Sequence, residues 1–365
     1  MLNKGSLSAA LMAGAILVSQ TGMCQQMVPL EDAVKEAAGR STLTAPGGAP
    51  FHLRATISDE KAHDPQYDAE VEEWWQSPAV WRREFHSLAF SQTLVVNGNK
   101  VQETDSGPVF PELLRNLTVE LVDTVPRFDQ LAALHQTVIK PDGAPGQIRA
   151  NWTIPGTDGT TTKPIQASIA ISRDTGLMAY GGDIDWDVAL HDFSDFHGKQ
   201  IARRLTAQSN GGPRLTAQIT LLEDLGSSDA ERFVIHRPTS PKKRLRIVVV
   251  PEMELRKLAM ETPAPHWPDV PSGARTGAMV MRVVVDRTGH VRSIDDFFSD
   301  NPGLQHAAEE QLKMWRFRPY LDHGSPVQVI STLTFSFRLS KPNSEAASSH
   351  HRSDRTAPPA IDEIR

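Results

Sequence analysis

GAMVMRVVVDRTGHVRSIDDFF, Gly277 to Phe298, decides the fold of the C-terminal part of this 365-residue chain. Met281, Val283 and Val285 recur at every second position, which is the period of a strand with one apolar face. Asp286 to Gly289 carries turn chemistry, and a second strand follows. The stretch predicts a hairpin.

Downstream, SDNPGLQHAAEEQLKMW predicts a helix. Asp300 or Asn301 can cap it, Pro302 fits its first turn, and Leu304, Ala308, Gln311 or Leu312, and Trp315 fall along one stripe. Lys313 and Arg316 near its end complement the helix dipole. KMWRFRPY, Lys313 to Tyr320, has two readings: a stacking surface for nucleobases, or a join in which Trp315 and Phe317 face a core. The net charge of -6 and pI near 6.1 argue against a general nucleic-acid binder and favour the join. In the last segment, VQVISTLTFSFRL, Val327, Val329, Leu333, Phe335, Phe337 and Leu339 share one side, interrupted by Ser331. The order is strand, strand, helix, strand.

The residues VVVDRTGHVRSID, SDNPGLQHAA, WRFRPY and GSPVQVISTLTFSFRL resemble the TonB C-terminal domain family over about Trp267 to Leu339. Asp286, Gly289, Trp315, Phe317, Pro319 and Gly324 carry the family motif. The resemblance implies a two-layer domain in the cell envelope whose sheet edge pairs with a segment of an outer-membrane protein. The candidate edge is the final strand, with Gln328, Ile330, Thr332 and Thr334 on its exposed side. The alternatives are an edge covered by another element or self-association as a homodimer. Three departures stand against energy transduction: a short N-terminal apolar run with no His, no long Pro-rich linker, and a large β domain in its place.

That β domain begins at FHLRATI, where Phe51, Leu53, Ala55 and Ile57 alternate with polar residues. Asn97-Gly98 in FSQTLVVNGNKVQE predicts a tight hairpin. Further strands are expected over Gln147 to Ile154, Pro164 to Ser172 and Arg214 to Leu225, with a helix over Gly107 to Leu121. WWQSPAVWRREFHSLAFSQTLVVNGNKVQE and DFSDFHGKQIARRLTAQSNGGPRLTAQITLLEDL are similar to the half-barrel family of periplasmic lipoprotein carriers typified by LolA. That resemblance implies a lipid or acyl-chain ligand. The expected fold is α+β: a large antiparallel, half-barrel-like sheet over 51–250, then a small ββαβ domain over 251–340. The Pro-rich stretch from His236 to Gly273 holds the break, placed near Pro251, and its KKRLR run reads as a solvated flank. Residues 1–24 resemble a cleaved secretory leader, with Leu7 to Val18 too short to span a bilayer. Residues 25–50 read as a linker or helix. The lone Cys24 allows no internal disulfide, and the polar 341–365 segment predicts a disordered tail.

No standard hydrolase, zinc or nucleotide signature occurs, and no catalytic residue, metal or cofactor is assigned. Asp183, Asp185 and Asp187 resemble the start of a calcium loop, but Val188 and Ser194 stand where Gly and Glu are required. His191, Asp195 and His197 can ligate a metal only if brought together, and a surface helix or loop is the favoured account of HDFSDFH. His350 and His351 read as part of the solvated tail. The expectation is an exported, non-catalytic bacterial envelope protein that binds an envelope or outer-membrane protein, with lipid carriage as the alternative and no nucleic-acid role.

Overall fold

The computed structural model describes residues 30–45, 47–123, 146–154, 165–182, 186–209, 212–240, 243–263, 276–300 and 302–338. The expected leader, the tail with His350 and His351, and Asp183 and Asp185 lie outside the described residues.

After helix α1 (Leu30–Ser41), five strands run as a meander: β1 (Phe51–Asp59), β2 (Ala69–Ser77), β3 (Val80–Ser87), β4 (Ser91–Asn97) and β5 (Lys100–Ser106). Helix α2 (Glu112–Glu120) follows, starting five residues later than the expected span of Gly107 to Leu121, after Pro111. A second meander comprises β6 (Gln147–Ile154), β7 (Ile165–Ser172), β8 (Met178–Gly182), β9 (Trp186–Phe196), β10 (Lys199–Ser209) and β11 (Arg214–Asp224). Antiparallel pairing of β1 with β11 fuses the two into one open eleven-stranded sheet that ends at β5 and β6.

Alternation in β1 buries Phe51, Leu53, Ala55 and Ile57 on one face, as the sequence predicts. Ala37 and Ala38 of α1 and Leu114 and Leu117 of α2 pack on that same face, in one core with Trp75, Phe85, Leu205 and Leu215. Gly98, at φ +60°, turns β4 into β5.

HDFSDF, His191 to Phe196, is the second half of β9, with His197 in the turn after it at φ +51°, and the helix-or-loop expectation is corrected for the strand residues. Its alternation starts upstream at Trp186, where Val188 and Leu190 are buried, and is broken by Asp192 at φ +56°. That break displaces Phe193 from the expected parity and hides the strand within a seven-residue window.

The second unit contains β12 (Ile247–Val249), α3 (Glu252–Arg256), β13 (Ala259–Glu261), β14 (Thr276–Val285), β15 (Val291–Ser299) and α4 (Pro302–Leu312). It is completed by β16 (Arg316–Phe317), β17 (Leu321–Asp322), β18 (Ser325–Pro326) and β19 (Gln328–Arg338). Its main sheet has the order β12-β19-β14-β15, with β12 parallel to β19. The chain therefore joins the second sheet at Ile247, ahead of Pro251. The preceding linker lies along the end strand of the first sheet. Thr239 donates its main-chain N–H to Val101 O, and its hydroxyl bonds the N–H and C=O of Glu103. An exposed strand edge is thereby covered.

Candidate functional site

The motif residues build one structural joint. Asp286, 1% exposed at the end of β14, accepts bonds from Thr288 N (2.7 Å), Thr288 Oγ1 (2.7 Å), His290 N (3.0 Å) and Arg292 Nε (2.6 Å). Burial pushes its carboxyl pKa up, but the Thr288 hydroxyl, the His290 and Thr288 N–H groups and Arg292 together bring it below the ordinary value. The turn then reaches Gly289, at φ +88°, whose carbonyl accepts Phe317 N–H at 2.8 Å. A Cβ here would lie 1.8 Å from Phe317 O, so the close approach of the two chains requires glycine.

Trp315 and Phe317 are buried beside Leu312, Met281 and Leu333, and the Trp315 ring meets Phe335 edge-on at 5.7 Å. Arg316 donates to the carbonyls of Lys313 and Trp315 at the end of α4, and Arg318 to Lys257 O. Pro319 is exposed, and Gly324 forms the turn between β17 and β18 at φ +82°. WRFRPY is thus a join in which Trp315 and Phe317 are committed to the core and Tyr320 packs against it half-buried. Ser331, which interrupts the final stripe, is also buried and bonds Val250 O.

The final strand is not the open edge expected of it. Gln328 is fully buried: its side-chain amide donates to Phe110 O (3.0 Å) and its oxygen accepts Phe110 N–H (2.9 Å), which ties the sheet to the first unit. Ile330 is buried with Val109 and Val284. Thr332 is half-buried, and Thr334 alone of the four is exposed. The outer side of β19 is occupied by β12 and then by α3, whose Glu252 accepts Thr334 N–H and whose Arg256 donates to Thr334 O. The face expected to meet solvent is the seam with the first sheet.

Ion pairs flank this seam. Arg282 of β14 pairs with Glu112 of α2, and Arg287 with Asp105 at 2.7 Å. Beside it lies a cleft of about 890 Å³, walled by Tyr67, Leu113 and Trp186 from the first unit and by Arg282, Val284 and Ser293 from the second. Sequence reasoning missed it because its walls come from segments far apart in the chain.

The metal candidates are spread along β9 and the turn that follows it. His191 bonds Thr206 Oγ1, His197 bonds Asp224, and Asp195 accepts Gly198 N–H. Asp187 instead accepts the Tyr180 hydroxyl, and burial with that bond pushes the phenol up to about 12. Among the described residues no three His, Cys, Asp or Glu side chains converge as a metal site. No helix among them is long and apolar enough to cross a membrane.

The architecture is that of a two-unit α+β protein: an open antiparallel sheet with helices on one face, joined to a small sheet-and-helix domain. Residues 269–339 match the family model described as Gram-negative bacterial TonB protein C-terminal, so the second unit is a domain of the TonB C-terminal type. No curated protein matches the chain. Among solved structures, a LolA superfamily protein from Nitrosomonas europaea is similar at 8% identity and a TM-score of 0.36, over 55% of this chain and 97% of that one. A DUF1329 family protein from Desulfovibrio piger is similar at 9% identity and a TM-score of 0.35, over 56% of this chain and 95% of that one. At these scores the structural likeness carries no functional argument.

Proposed function

We propose that this is a non-catalytic protein of the bacterial cell envelope whose TonB-type domain binds another protein by strand pairing. The observation that carries this is the sheet order: β19 is enclosed, and β15 ends the sheet without a neighbouring strand among the described residues. An end strand supplies main-chain donors and acceptors to a partner, with side chains beside it selecting which partner enters. The motif residues Asp286, Gly289, Trp315 and Phe317 are spent on the fold, which leaves recognition to the sheet's periphery. Photocrosslinkers placed one at a time at Arg292, Ser293, Thr332 and Thr334 in intact envelopes are expected to capture one defined envelope or outer-membrane protein. Absence of any captured protein from all four positions rejects the reading.

The acyl-carrier alternative meets an obstacle in the first unit. The sheet face that would hold an acyl chain is filled by Ala37, Ala38, Leu114 and Leu117 of the protein's own helices. Native mass spectrometry of gently isolated protein is expected to show no acyl adduct.

A further inference from the structure

We infer that the cleft between the two units receives an extended acidic segment of a partner protein, which adds to the free edge of β15. This deepens the binding reading above and rests on it.

The edge follows from the hydrogen-bond parity. Gln328 N–H donates to Arg246 O and Val250 N–H to Ile330 O, so even-numbered residues of β19 turn their main-chain groups toward β12. Odd-numbered ones therefore turn toward β14. Carried through the registers Ser331↔Val283 and Val284↔Ser293, the alternation directs Ser293 and Asp295 toward β14 and Ile294 and Asp296 outward. Among the described residues, no main-chain group meets those outward donors and acceptors.

The cleft lies against that edge. Ile294 packs on the α4 side of the sheet, and Ser293 is on the other face, yet both line the cleft together with Lys313 from beyond α4. A space bordered by both faces of a strand wraps around its rim. The opposite wall is supplied by Tyr67, Trp186 and Pro213 of the first unit. The volume of about 890 Å³ is within the range of occupied ligand clefts.

Two buried atoms in the walls are unsatisfied: Trp186 Nε1 needs an acceptor and Glu112 Oε2 a donor. A polypeptide main chain offers both. Arg292 and Lys313 stand at the rim with side chains 45% and 58% exposed; each already holds a carboxylate, Asp286 and Glu310 at 2.6 Å, and the remaining N–H donors of the two cations are what an entering segment with acidic side chains would meet.

The test uses the full chain and an end-capped, fluorescein-labelled octapeptide alternating valine and aspartate, with one central phenylalanine. Anisotropy is expected to show saturable binding, and hydrogen exchange to slow over Ile294 to Asp296. Lys313→Glu is expected to weaken binding about tenfold by placing a like charge at the rim. Asp296→Pro deletes an outward donor from an edge strand and is expected to abolish binding. Should that variant misfold, Trp186→Phe, which keeps a ring and removes the indole N–H, must still weaken it.

Absence of saturable binding overturns the inference, as does equal affinity for a peptide with lysine in place of aspartate. Protection at Thr332 to Ser336 instead of β15 assigns the wrong edge and also overturns it. So does a peptide-free dimer protected at Ile294, or dodecanoate that fills the cleft and displaces the peptide without slowing exchange there. If crosslinking still captures a partner through Thr332 or Thr334, the broader binding reading survives; loss of both removes it.

Discussion

Asp286 and Gly289 act as one unit at the residue scale, since the carboxylate folds the turn that delivers the glycine to Phe317. Asp286→Asn keeps the shape but loses a charge-assisted bond to Arg292 and weakens the others, at a cost of about 2 kcal/mol in urea unfolding. Its carboxyl pKa is lowered in the folded state. The contribution is therefore complete above the unfolded value, about 3.9, and is lost as pH falls through the lower folded value. The stability gap between wild type and Asp286→Asn should narrow over that acidic window. Gly289→Ala combines a left-handed backbone with a clash on Phe317 O, and should lower stability by about 1 to 3 kcal/mol. Trp315→Ala should cost about 3 to 5 kcal/mol, with the loss appearing in unfolding rather than in any nucleotide affinity. Trp315 and Phe317 are legible because alternation gives them a common face and the negative net charge disfavours the nucleobase-stacking reading. Gln328 was illegible for the opposite reason: a polar residue on the off-beat of a strand looks solvent-facing, and only tertiary placement shows it bonded to Phe110.

At the scale of elements, the hairpin β14–β15, the helix α4 and the final strand follow from local periodicity and turn chemistry. β2 does not, because its inward row holds Glu73, buried and paired with Arg83 at 2.6 Å. A buried ion pair interrupts the apolar alternation by which strands are recognised. A break near Pro251 leaves β12 on the wrong side of the boundary, since three apolar residues carry no record of the strand they pair with. Its parallel pairing can be tested directly. Val248→Pro removes the N–H at a β19-facing position, so the amide of Ile330 should exchange faster while β14 and β15 keep their rates. Glu252→Ala should likewise speed exchange at Thr334, whose N–H it leaves without its acceptor.

For the whole molecule, the seam between units is polar at its flanks and sealed at its centre. Gln328→Leu strands both the N–H and the C=O of Phe110, a cost of about 1 to 3 kcal/mol for each buried group left unpaired. Limited proteolysis should then cut sooner within 106–112, where the two units meet. The existence of two units was legible from composition and motif, whereas their docking was not, because Arg282 with Glu112 and Arg287 with Asp105 join residues more than a hundred positions apart. The interior position of β19 also orders events in time. Ribosomal synthesis delivers it after both of its neighbours, so until Gln328 to Arg338 emerge, β12 has nothing to pair with and β14 is bonded on one side only. The TonB-type domain therefore closes late, from its last strand inward, and a nascent chain stalled before Gln328 would hold two bare strand edges open to aggregation.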